Sequence, residues 1–96
     1  MSLSPEVTSA QKRALKSRAQ RLEPVVRVGQ AGLSEAFLKS LHEALTLHEL
    51  VKVRFAEFKE DRKSLSTQMA EATSSALLQI VGNVAVLYRP KPAPSS

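Results

Sequence analysis

Ninety-six residues, 43% of them apolar, are enough for one folded domain and too few for a second core. No apolar run approaches the ~20 residues of a membrane-spanning helix, and the absence of cysteine excludes disulfides, thiolate metal sites and a cysteine nucleophile. The net charge of +5 is unevenly spread: residues 1–32 hold six basic and two acidic side chains, residues 33–61 four and six, and residues 62–96 four and one. Basic ends around an acidic middle suit a nucleic-acid-binding face, and equally a solvated helix surface rich in lysine.

Residues 1–7 are expected to be disordered. Met1-Ser2-Leu3-Ser4-Pro5 has neither a basic n-region nor an apolar h-region, so no secretory signal is expected and cytoplasm is the default. Thr8 with Gln11 fits a capping box, which predicts a first helix from about Ser9 to Arg21. Leu15, Ala19 and Leu22 form its one narrow apolar stripe, and Lys12, Arg13 and Lys16 lie on an adjoining arc. Glu23-Pro24 ends it, because proline disfavours the α region for the residue before it.

The organising stretch comes next. Val25-Val26-Arg27-Val28 reads as a short strand, Gly29-Gln30-Ala31-Gly32 as a tight turn with two glycines to supply positive φ, and Ser34-Glu35 as a capped helix start. A bare loop entering a helix N-terminus leaves main-chain N–H groups free to meet an anion such as phosphate. On glycine spacing alone an ordinary strand-to-helix connection is the better reading, since G-x-x-G is a weak motif.

A second helix is predicted over about Glu35 to His48, with Phe37, Leu38, Leu41, Ala44, Leu45 and His48 on one arc. Leu50-Val51-Lys52-Val53-Arg54-Phe55 alternates strictly, placing Val51, Val53 and Phe55 inward and Lys52 and Arg54 outward. Phe58 to Asp61 reads as a polar connection. The third helix is predicted over about Arg62 to Thr73, with Leu65, Met69 and Ala72 on its inner stripe. Leu77–Val81 and Val84–Arg89 read as two well-covered central strands joined by a Gly82-Asn83 hairpin turn. Residues 91–96 are expected to form a disordered Pro/Ser tail. The expected fold is α/β of the two-layer α+β kind, in the order α-β-α-β-α-β-β, with a four-stranded mixed sheet and two strand–helix–strand crossovers making parallel pairs.

No catalytic constellation emerges. His42 and His48 are six apart rather than the four that puts a metal-binding pair on one helix face. His48, near a helix end, reads as a partly buried, hydrogen-bonded structural residue. Glu57, Glu60 and Asp61 alternate with basic neighbours as a solvated charge run. The Walker and Rossmann glycine patterns are absent, and no cofactor or metal is expected. Aromatics are too few for a base-stacking sheet, which leaves backbone and shape recognition of nucleic acid. KH domains clamp a nucleotide backbone with a G-x-x-G loop, but there the loop joins two helices.

Three separated pieces, Pro24–Glu35, His48–Val53 and Gln79–Arg89, together resemble the CRM domain (chloroplast RNA splicing and ribosome maturation), specifically its stand-alone bacterial YhbY family. The resemblance spans about residues 8–90. It implies a fold similar to the C-terminal domain of translation initiation factor three, a non-enzymatic RNA-binding role, and association with large-subunit ribosomal precursors. It also maps an RNA contact onto Gly29, Gln30, Ala31 and Gly32. Gln30 and Ala31 are uncharged, so electrostatic attraction must come from elsewhere, and the candidates are Lys12, Arg13, Lys16, Arg27, Lys52 and Arg54, with Arg89 a weaker one. The expected partner is ribosomal RNA or a pre-ribosomal particle, with no membrane, no small-molecule substrate and a monomer as default. The competing reading is a protein-interaction module docking on a ribosomal protein or another acidic partner.

Overall fold

A computed structural model describes residues 7–90. Three helices and four strands follow the expected order: α1 (Ser9–Ala19), β1 (Val26–Val28), α2 (Glu35–His48), β2 (Leu50–Phe55), α3 (Arg62–Thr73), β3 (Ala76–Val81) and β4 (Val84–Tyr88). A short 3₁₀ turn, Lys59–Asp61, precedes α3. Among the described residues no helix is long and apolar enough to cross a membrane. The expected disordered ends lie outside the described residues, apart from Val7, which packs against the cluster around Leu15.

The sheet order is β1-β2-β4-β3. β1 and β2 are parallel, as a strand–helix–strand crossover requires, and both pairings of β4 are antiparallel. The second crossover does not create a parallel neighbour pair. β3 runs in the direction of β2 but sits at the edge, because the hairpin folds β4 back into the gap between them. Of the two strands expected to be central, only β4 is: Ala85, Val86 and Leu87 are buried in succession, whereas Val81 on β3 is 61% exposed. Apolar runs do not distinguish a central strand from an edge strand whose two faces meet helices. Gly82 has φ +57° and Asn83 is not left-handed, so the two-residue hairpin turn is of type II′.

One sheet face carries the main core. Val26, Val28, Val51, Val53, Phe55, Ala85 and Leu87 meet Phe37, Leu41 and Leu45 of α2 and Met69 and Ala70 of α3. A register shift between Leu77 and Gln79 lets Leu77 and Ile80 both reach this core, while Leu78 turns to the opposite face. There α1 docks through Leu15 and Ala19 onto Leu50, Leu78 and Val86. It covers only part of that face, and Arg27 and Arg54 remain exposed on the rest.

The Thr8–Gln11 capping box forms as expected, with reciprocal bonds of 3.0 and 3.1 Å. The helix then stops at Ala19, short of Arg21. Its last bonds tighten to Arg21 N→Arg18 O and Leu22 N→Ala19 O, which takes Leu22 off the helical phase and leaves it 40% exposed. Ala72 is exposed, and the buried face of α3 is Ser66, Met69, Ala70 and Thr73. The buried hydroxyl of Thr73 is satisfied on that face, donating to Met69 O at 2.8 Å and sharing a buried bond with Ser75. Alanine side chains are too small to choose between the two faces. His48 is exposed rather than partly buried, because Glu49 takes φ +61° and turns the chain away at once.

Candidate nucleic-acid interface

β1 and β2 run parallel, so their carboxyl ends lie side by side. The connections leaving these ends, Gly29–Ser34 and Ala56–Asp61, therefore share one edge of the molecule. In open α/β sheets this is where ligands gather. Val28 O holds the two connections together by accepting from both Ala56 N (3.1 Å) and Glu57 N (3.2 Å).

Gly29-Gln30-Ala31-Gly32 is a closed turn, with Gly32 N donating to Gly29 O at 3.0 Å. Gln30 and Ala31 have no positive φ, which makes it a type I turn followed by a left-handed Gly32 at φ +63°. The two glycines are thus not equivalent. Gly32 meets a conformational requirement, while Gly29 is not left-handed and a Cβ there would meet nothing within 4 Å. The turn bond uses neither corner amide, and Gln30 and Ala31 are both exposed.

Ser34 caps α2 as expected: its Oγ accepts from Phe37 N at 3.1 Å, and its carbonyl accepts from Leu38 N at 3.0 Å. The amides of Glu35 and Ala36 in the first turn have no carbonyl one turn back to bond. The positive end of the helix dipole therefore points toward the glycine turn. The exposed carboxylate of Glu35 answers part of it.

The basic candidates divide into groups. Arg27 and Arg54 are register partners on β1 and β2, exposed on the same face. They flank one hollow of about 480 Å³ together with Glu23. Arg27 also lines a second hollow, of about 370 Å³, whose wall includes Gly29, Ala31, Gly32 and Ser34. Lys52, on the same face, donates from Nζ to Leu22 O at 3.0 Å and so helps hold the end of α1 to the sheet. Lys12 and Arg13 are exposed on α1 and Lys16 is half-buried; none of the three lines either hollow beside the turn. Arg89 is a clamp. Its guanidinium donates to Thr73 O (2.9 Å), His42 O (3.0 Å), Thr46 Oγ1 (2.7 Å) and His42 Nδ1 (2.9 Å), joining α2, α3 and the end of β4. The hydrogen-bonded histidine is thus His42, not His48.

The sequence reading missed Phe58. In a connection expected to be polar, its ring lies against the glycine turn, and a Cβ on Gly32 would stand 3.5 Å from Phe58 Cε2. A lone aromatic in Glu57-Phe58-Lys59-Glu60-Asp61 was the available signal. Among the described residues no group of three or more His, Asp or Glu could hold a metal ion.

Residues 7–89 match the family model of the CRS1/YhbY (CRM) domain. The chain belongs to that family. As a CRM domain it is 38% identical over 90 residues to Pseudomonas aeruginosa PA4753, named a probable RNA-binding protein, covering 93% of this chain and 86% of that one. It is 36% identical over 84 residues to Bacillus subtilis YqeI, which carries the same description, covering 86% and 88%. Among solved structures, the fold of this CRM domain superposes on Staphylococcus aureus SAV1595, described as a candidate RNA-binding protein. The TM-score is 0.78 at 34% identity, over 94% of this chain and 95% of that one.

Proposed function

We infer that this chain is a non-catalytic RNA-binding protein of the cytoplasm that acts, as a monomer, on structured ribosomal RNA during assembly of the large subunit. Membership of the CRM family and the names of PA4753 and YqeI support RNA as the partner. The observation that carries the reading further is the exposed Gly29–Gly32 turn at the N-terminus of α2 with Arg27 and Arg54 alongside. Backbone N–H groups and the helix dipole orient a phosphate at the turn. The two arginines supply the attraction that uncharged Gln30 and Ala31 lack, by displacing counterions from the RNA backbone. Lys12, Arg13 and Lys16 extend the positive face along α1 for RNA passing that side.

The test is crosslinking in living cells followed by sequencing of the attached RNA, with wild type, Gly29→Asp and Arg27→Glu/Arg54→Glu compared. Gly29 is the informative glycine, because space is open there and its backbone is not left-handed. The expected result is large-subunit ribosomal RNA from wild type and a loss of about tenfold or more in either variant. In vitro, the arginine variant should also lower the salt slope by about 1 for each phosphate contact removed. Recovery of protein partners without RNA would overturn the reading and favour a protein-docking module.

A further inference from the structure

Phe58 is an aromatic residue held where few aromatics sit. Its φ is +55°, a left-handed conformation that bulky residues seldom adopt and that costs energy to maintain. The surroundings enforce it: Val28 O pins Ala56 and Glu57, and Asp61 N closes the 3₁₀ turn onto Phe58 O at 3.0 Å. The ring edge rests on Gly32, yet the residue stays 43% exposed. Phe37 and Phe55 are buried in the core and Tyr88 is half-buried, so Phe58 is the exposed aromatic of the described residues.

Covering Gly32 would explain an apolar side chain here, but leucine would serve that purpose. Charge around the ring separates it from the phosphate side of the turn. Glu57, Glu60 and Asp61 surround Phe58 with Lys59 and Arg62 among them, three acidic side chains to two basic, whereas Arg27 and Arg54 stand together without an acid between them on the sheet face opposite the main core. The mixed run around Phe58 gives a phosphate no net attraction, while the arginine pair does. A base, neutral and planar, needs no such attraction and gains from an aromatic face.

We propose that Phe58 is a stacking platform for one unpaired base whose phosphate lies on the Gly29–Gly32 turn, so that the preferred RNA carries a bulged or splayed nucleotide within a helical region. Bases inside a duplex cannot reach a side chain in this way, whereas unstacked ones can. The proposal rests on the RNA-binding reading above and names the kind of RNA that reading leaves open.

The experiment uses two blunt RNA duplexes that differ by a single bulged 2-aminopurine, with affinity read by anisotropy and stacking by quenching of the 2-aminopurine. Wild type is expected to bind the bulged duplex about tenfold more tightly, the scale of one base–aromatic stack, and to quench the probe. Phe58→Leu keeps an apolar cover on Gly32. It should bind the bulged duplex no better than the paired one and lose the quenching, with affinity for the paired duplex and salt slope unchanged. Phe58→Tyr should retain the preference. A wild type that binds both duplexes equally, or a Phe58→Leu protein that keeps preference and quenching, overturns the proposal while leaving RNA binding intact. Binding of neither duplex at low salt overturns the RNA-binding reading itself.

Discussion

Arg89 gives the most direct test of how the interface is held in place. Its side chain makes four hydrogen bonds of 2.7–3.0 Å, three of them to His42 and Thr46 on α2 and one to the last residue of α3. Because a guanidinium only donates, His42 Nδ1 is the acceptor and the imidazole proton lies on Nε2. Arg89→Met keeps most of the apolar stem and removes all four bonds. A net hydrogen bond contributes about 0.5–1.5 kcal/mol. Thr46 and the ring of His42 can be rehydrated, so the lower figure applies, and four bonds amount to about 2 kcal/mol. For a domain of this size that corresponds to a fall in Tm of about 8–16 °C. Urea unfolding should show the midpoint shifted with the slope unchanged, and RNA affinity well below the transition should stay within about twofold of wild type, since no part of the clamp faces the glycine turn. A loss under about 0.5 kcal/mol would refute the clamp. A large loss of affinity in a fully folded Arg89→Met protein would return Arg89 to the RNA contact.

Two further substitutions follow from local geometry. Gly32→Ala should cost about 1 kcal/mol, since alanine resists a φ of +63°, whereas Gly29→Ala should be neutral or stabilising by up to about 0.5 kcal/mol; urea midpoints of the pair would reveal any equivalence between the glycines. Ser66 Oγ is fully buried on α3 without a hydrogen-bond partner. Ser66→Ala should therefore raise stability by about 1 kcal/mol, and a lower thermal midpoint would show that the hydroxyl is satisfied after all.

Most of the element order was legible because each signal was local. The Thr8–Gln11 box, the Ser34 cap, the alternation over Leu50–Phe55 and the Gly82-Asn83 turn each act within a few residues, and all four form. Errors arose where a distant partner decided the outcome. Leu22 continues the stripe of α1 on paper, but Pro24 and the bond from Lys52 draw the chain out of the helix before it. Strand order depended on β4 entering between β2 and β3, which no periodicity records. The glycine turn and Arg27 could be placed together from the sequence, because they are neighbours in it. Arg54 joins them through strand register, and Phe58 through the shared carbonyl of Val28, so neither proximity could be read from spacing.

The central position of β4 has a consequence for the order in which the protein is made. β2 pairs along its length with β4, and Leu50 finds its partner in Tyr88 at the far end of the domain. A growing chain can form α1, the β1–α2–β2 unit and even α3 while still lacking the strand that completes the sheet. Such long-range pairing must wait until the loop-closure cost is met. The bonds that shape the glycine turn, through Val28 O and the Ser34 cap, lie wholly within the earlier residues, while the sheet beneath it stays open until β4 arrives. Truncation just after β3, between residues 81 and 84, would leave a sheet missing its middle rather than its edge.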